Sequence, residues 1–140
     1  MSHTQYEIVL ISACLAGLCT RYDGEVRPAH TCLVALAGVH WLPICPEQLG
    51  GLSTPRPAAN LTGGDGHDVL AGRARVITEG GRDVTSHFLL GARQCLAIAR
   101  AQNIRRAYLK GGSPSCGLTP RIGVTAALLR QHGIEVIECD

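Results

Sequence analysis

The chain reads as an α/β domain built on a mostly parallel sheet, and three observations predict it. Short β-branched runs alternate with stretches of helical periodicity, the pattern left by strands joined through crossover helices. No repeat, low-complexity tract or break in composition divides the 140 residues, a length suited to one domain with its own core. Apolar residues make up 46% and charged residues 17%, the balance of a globular chain rather than a disordered one. Right-handed crossovers then give a three-layer, Rossmann-like fold over residues 1–140, with its functional loops at the carboxyl ends of the strands.

The elements follow in order. Residues 7–11 are a short apolar run with Ile8, Val9 and Ile11, the mark of a strand buried on both faces. The loop after it carries Cys14, Cys19 and the turn Arg21-Tyr22-Asp23-Gly24. A short helix is predicted over 28–36, with Pro28 in its first turn and Gly38 past its end. His40–Ile44 reads as the second strand. Residues 46–72 hold Gly50-Gly51, Pro55-Arg56-Pro57 and Gly63-Gly64-Asp65-Gly66 with little apolar periodicity, so a long loop is expected, its glycine run a turn or lid. Arg75–Thr78 is a short strand. Phe88, Ala92, Cys95, Leu96 and Ala99 share one face of a long helix, with Asp83 as its N-cap. Arg106–Lys110 is the next core strand, Val124 to Arg130 a last helix that Gly133 ends, and 134–137 a closing strand.

Net charge is +2, from 13 basic and 11 acidic residues, which leaves no basic stripe for nucleic acid. The longest apolar stretch, 8–19, is broken by Ser12 and Gly17 and falls short of the roughly 20 residues of a membrane span. No basic segment precedes it, so no export signal is read and a reducing cytoplasm is expected. There the seven cysteines are thiols, metal ligands or small core hydrophobes rather than disulfides.

Three of them, Cys14, Cys45 and Cys116, each follow a predicted core strand. Strand ends of one parallel sheet face one crevice, so three thiols from distant parts of the chain would converge there. Thiolates are soft ligands for iron–sulfur clusters, zinc and copper(I). The spacing matches no compact motif, and three unrelated core or loop cysteines explain the pattern equally well. Glu47, two residues after Cys45, is either a general base beside the site or a solvated loop carboxylate. Ser113, three before Cys116, either orients a substrate and relays a proton or closes a turn. Cys95 and Cys32 read as core, Cys139 as part of a fraying terminus, and Cys19 as a bystander. The histidines form no metal-spaced pair, no P-loop lysine follows the glycine run, and no G-x-S-x-G elbow is present.

Ser12-Ala13-Cys14-Leu15 with Arg21-Tyr22-Asp23-Gly24, then Cys45-Pro46-Glu47-Gln48-Leu49-Gly50-Gly51 with Pro55-Arg56-Pro57, then Ser113-Pro114-Ser115-Cys116-Gly117 with Gly123-Val124-Thr125-Ala126-Ala127 resemble the thiouracil desulfurase family. The resemblance spans nearly the whole chain. It implies a [4Fe-4S] cluster on Cys14, Cys45 and Cys116, whose fourth iron has no protein ligand and takes the substrate's sulfur. It further implies Glu47 and Ser113 as catalytic residues, Ser12 and Ser115 as substrate-binding residues, and loading by the iron–sulfur assembly machinery. The reaction implied is non-redox conversion of 2-thiouracil, or a related thiolated pyrimidine, to the oxo base and sulfide. Two departures bear on the substrate rather than the cluster. Gly111-Gly112 stands where relatives carry a charged pair, and only 118–122 separates the Cys116 block from what precedes the last helix. The alternatives are a non-catalytic iron–sulfur or zinc protein acting as sulfide carrier or redox sensor, and a thiol redox enzyme using Cys14 and Cys19. Oligomeric state is left open.

Overall fold

A run such as Val9-Leu10-Ile11 needs apolar cover on both sides, and only a central strand of a sheet covered on both faces supplies it. In the computed structural model, which describes residues 7–140, these three side chains are fully buried. The residues before 7, on which the export reading partly rests, lie outside the described ones. The chain runs β1 (Ile8–Ser12), α1 (His30–Ala35), β2 (His40–Ile44), α2 (Pro46–Leu49), β3 (Ala59–Thr62), α3 (Gly66–Leu70), β4 (Arg75–Thr78), α4 (Thr85–Ala101), β5 (Arg106–Lys110), α5 (Val124–Gln131) and β6 (Glu135–Cys139). Strands β2, β1, β5 and β6 form a parallel sheet in that order, and β3 and β4 form a separate antiparallel pair.

The period-2 alternation of β1 divides the core into layers. Leu10 packs with Ala107 and Leu109 of β5 against Cys95, Leu96 and Ala99 of α4 and Ala126, Ala127 and Leu129 of α5. Val9 and Ile11 point the other way, onto Ala29, Cys32 and Leu36 around α1. This is the three-layer α/β arrangement expected. A third cluster joins Val76 of β4 and Leu61 of β3 to Val69, Phe88 and Val124; full burial of a side chain like Phe88 contributes about 1.5–3 kcal/mol.

Four expectations need correcting. The segment 46–72 is not a long loop, because it holds α2, β3 and α3. Each is too short to show a period, and packing rather than pattern fixes them. The glycine run is not a lid. Asp65 accepts the Asp68 amide at 3.1 Å while the Asp68 carboxylate takes the Asp65 amide at 3.0 Å, a closed capping box on α3. Helix α4 begins at Thr85 behind Val84, and Asp83 instead accepts the Thr85 amide at 2.9 Å from one position further out. Nor does Cys139 fray, since it pairs with Lys110 in β6.

Two glycines set the placement of α2. A Cβ on Gly91 of α4 would lie 1.9 Å from the Pro46 carbonyl oxygen, and one on Gly50 would lie 2.0 Å from that of His87. The backbones therefore meet directly. Gln94 then donates to the Leu49 carbonyl and His87 bonds that of Gly50, both at 2.8 Å. The long helix thus holds the short one that carries Glu47.

Candidate active site

The strand order reverses at β1, since the chain first adds β2 on one side and later β5 on the other. Such a switch point opens a crevice beyond the carboxyl ends of the strands. A cleft of about 340 Å³ lies there, and Cys14, Cys45 and Cys116 all line it. Each reaches it by a different local device. Cys14 sits in a tight turn closed by Leu15 and Ala16 amides on the Ser12 and Ala13 carbonyls. Cys45 is the N-cap residue of α2, followed by Pro46 in its first turn. Cys116 is held by the start of α5. That helix has no side-chain cap, and its leading amides, Val124 and Thr125, bond the Pro114 and Ser115 carbonyls at 2.9 Å. A Cβ on Gly123 would strike Ser115 backbone at 2.5 Å, so the loop and helix lock only with glycine there.

The three thiols sense one another. Burial pushes the Cys14 thiol above its ordinary 9.0, and the Cys45 charge adds to that, while Arg21 and Lys110 pull it down. Burial also raises Cys45, against the Gln48 amide and the Arg56 guanidinium. Cys116 is pushed up to about 12 by burial, with the Ser12 hydroxyl opposing and the Cys14 charge assisting. All three are therefore neutral thiols at pH 7 when nothing is bound.

Glu47 joins them in the cleft. Its Oε1 accepts from Arg56 Nε at 3.0 Å, and its Oε2 accepts from Ser115 Oγ at 2.9 Å. Ser113 Oγ accepts the Ser115 and Cys116 amides at 3.2 and 3.1 Å and lies 2.9 Å from Ser115 Oγ. With its lone pairs taken by two amides, the Ser113 hydroxyl donates to Ser115, which donates to Glu47. This makes a one-way chain from Ser113 to the carboxylate, and the turn-closing and relay readings of Ser113 hold together. Ser12 Oγ takes the Lys110 amide at 2.9 Å and turns its proton to Cys116. Ser12 and Ser115 also line the cleft and are each 2% exposed.

Arg56 is the group that reading of the residues did not single out. Its side chain is 6% exposed. Besides Glu47 it donates to the Thr20 carbonyl at 2.8 Å, the Ser53 carbonyl at 3.1 Å and Thr54 Oγ1 at 2.8 Å, and its Nη2 lies 3.9 Å from Cys45 Sγ. The guanidinium ties the Cys14 loop to the Cys45 helix. The only sequence signal was its place in Pro55-Arg56-Pro57.

The other four cysteines do not line the cleft, although Cys95 packs in the same core cluster as Cys116. Cys95 and Cys32 are buried core residues. Cys19 is exposed, with Sγ 3.3 Å from the Gly24 carbonyl. Cys139 packs under α1 beside Cys32, on the opposite face of the sheet from α4. The short segment after Cys116 is firmly held. The Glu138 carboxylate accepts the Leu118 and Thr119 amides at 3.0 Å, and Arg121 donates to the Leu61 carbonyl at 2.9 Å. Gly111 suits this wall, because a Cβ there would press on Asp140 and Glu138 within 2.9 Å.

The donor set suits a cluster better than a lone ion. Among the described residues no three His, Cys, Asp or Glu side chains are disposed to hold one metal ion. In an iron–sulfur cluster each thiolate binds a different iron, so three sulfurs spread around one cleft fit it.

Fold and cleft together define the class: a small α/β enzyme with a thiol-lined site at the switch point of its sheet. The chain belongs to the 2-thiouracil desulfurase family, whose sequence model matches residues 9–140. It is 39% identical over 142 residues to YbbK of Bacillus subtilis (strain 168), an uncharacterized protein, covering 93% of this chain and 94% of that one. Among solved structures it is similar to TudS, described as a [4Fe-4S]-dependent thiouracil desulfidase. The likeness has a TM-score of 0.80 and 42% identity, and it covers 94% of this chain and 90% of that one. No helix among the described residues is long and apolar enough to cross a membrane.

Proposed function

We propose that this enzyme converts 2-thiouracil or a related thiolated pyrimidine to the oxo base and sulfide without net redox change, with a [4Fe-4S] cluster held by Cys14, Cys45 and Cys116. The observation that carries the reading is the meeting of those three thiols with Glu47 in one cleft at the switch point. When bound, the cluster supplies Lewis acidity at an iron with no protein ligand, which polarises the C–S bond.

The chain's own residues do the rest. Glu47 takes the proton of the water whose oxygen forms the new C–O bond as the C–S bond breaks and sulfur leaves as sulfide. Arg56 keeps that carboxylate aimed. Ser115 and Ser113 form the path by which its proton balance is restored. Ser12 and Ser115 act by orienting Cys116 and Glu47 against the substrate. A non-catalytic carrier has no use for a carboxylate held at both oxygens beside the thiols. Free cysteines and an open iron suit a reducing cytoplasm, where the iron–sulfur assembly machinery loads the site.

The test is anaerobic. Purified protein is expected to carry about four irons per chain and to release uracil and sulfide in equal amounts from 2-thiouracil. Cys45→Ser loses iron and turnover, whereas Cys19→Ser keeps both. Colourless protein with one zinc, or brown protein inert toward thiolated pyrimidines, sinks the reading.

The raised thiol pKa values add a pH signature. Thiols with pKa above 9.0 are protonated at pH 7, and ligation requires thiolate, so loading the apoprotein expels about three protons per chain. Affinity must therefore rise with pH, because protons compete for the same sulfurs up to the thiol pKa values. Cluster reconstitution followed in weakly buffered solution checks this. No proton release would show that the thiols are not the ligands.

A further inference from the structure

Most polar groups that line the cleft are already committed. Both Glu47 oxygens are bonded, the Arg56 guanidinium is engaged at all three nitrogens, and Ser12, Ser113 and Ser115 are engaged with the backbone, with each other or with Glu47. Asn60 is different. Among the described residues it is the one side-chain amide lining the cleft, it is exposed, and neither of its side-chain polar atoms has a partner among them.

Its placement is built rather than incidental. Strand β3 pairs antiparallel with β4, Asn60 opposite Ile77. Leu61 is 7% exposed in the core and Ala59 packs against the same cluster, so the alternation of the strand turns Asn60 away from that core. A one-residue slip would bury the amide and expose Leu61, which the apolar cost forbids. The β3 wall of the cleft thus presents a flat group with one acceptor and one donor. Tyr22, also lining the cleft and 44% exposed, adds an aromatic surface of the kind bases stack on.

We infer that Asn60 is the specificity-determining residue that reads the imide edge of the substrate base. Its Oδ1 accepts the ring N3–H, and its Nδ2 donates to the adjacent ring carbonyl. This inference rests on the desulfuration reading and narrows its substrate class to thiopyrimidines with an unsubstituted N3. The same contact serves a base thiolated at either carbon beside N3, because the carbonyl on the other side completes the pair. A thiopyrimidine methylated at N3 offers no donor and fills the space the amide needs.

The experiment compares iron-loaded wild type and Asn60→Leu, at equal iron content, on 2-thiouracil and 3-methyl-2-thiouracil. Wild type should prefer the unmethylated base by about tenfold or more in kcat/KM, the loss expected when a two-bond base contact is broken. Asn60→Leu should bring that ratio close to one by losing activity on 2-thiouracil alone. A ratio unchanged by the substitution overturns the inference. Asn60→Asp, which keeps the acceptor for N3–H and removes the donor to the ring carbonyl, guards against a leucine variant that misfolds, and should lose activity on 2-thiouracil while keeping part of the preference. Uracil binding to the same proteins, measured calorimetrically, separates this inference from the reaction itself. If wild type does not desulfurate 2-thiouracil but binds uracil, and Asn60→Leu weakens that binding about tenfold, base recognition stands and the proposed reaction falls. Equal affinity of the two proteins, or no uracil binding by wild type, overturns the recognition.

Discussion

Glu47→Gln should lower turnover by a factor of about 10²–10⁴, the usual contribution of a positioned general base, while iron content stays at the wild-type level. The glutamine amide still accepts from Ser115, but it cannot take a proton at pH 7. Its NH₂ or carbonyl must also face Arg56 Nε, which now lacks a counter-charge at 6% exposure. Part of the effect is therefore on stability, and turnover has to be compared per folded, iron-loaded chain well below the melting temperature. The loss should appear in kcat, since the carboxylate acts on water rather than on the ground-state base. Near wild-type kcat in that variant would remove Glu47 from the chemistry and leave it a structural partner of Arg56.

Arg56→Met is expected to be the most destabilising change in the cleft, by about 3–5 kcal/mol. It leaves the Glu47 carboxylate, 15% exposed, without its Arg56 partner, and it removes the guanidinium donors from the Thr20 and Ser53 carbonyls. At this chain length that corresponds to a melting temperature lower by roughly 10–15 °C. Arg56→Lys should not restore it, because one ammonium cannot replace a planar fork that serves Glu47, Thr20, Thr54 and Ser53 together. The double variant Glu47→Gln, Arg56→Met should lose less than the sum of the two, because much of each single loss is the charge left behind. Thermal melts of the four proteins decide it. An Arg56→Met melt within about 2 °C of wild type would show that water already screens the pair.

What was legible in the sequence was what local physics writes there. The period-2 run of β1, the one-sided apolar face from Phe88 to Ala99 and the run Arg106–Lys110 were readable because burial imposes a pattern within a few residues. Strand order at the switch point then made Cys14, Cys45 and Cys116 neighbours, as their positions after core strands had suggested. The segment 46–72 was misread for the same reason. Helices of four and five residues and a four-residue strand are shorter than the window in which a period shows, and their stability comes from elsewhere. α2 exists where it does because Gly50 and Gly91 let two backbones touch across the chain.

By itself, then, the sequence determined the α/β class, the order of the main elements and the three thiols that end their strands, since each depends on short-range pattern and on one rule of parallel sheets. Only the tertiary structure decided what shares the cleft with those thiols. The Arg56 donors find Thr20 36 residues earlier and Glu47 nine residues earlier, and Asn60 faces the cleft because Leu61 is anchored in a core drawn from five elements and the loops between them. Hydrogen-bond partners and strand facing are set by long-range packing, and no periodicity in the sequence encodes them.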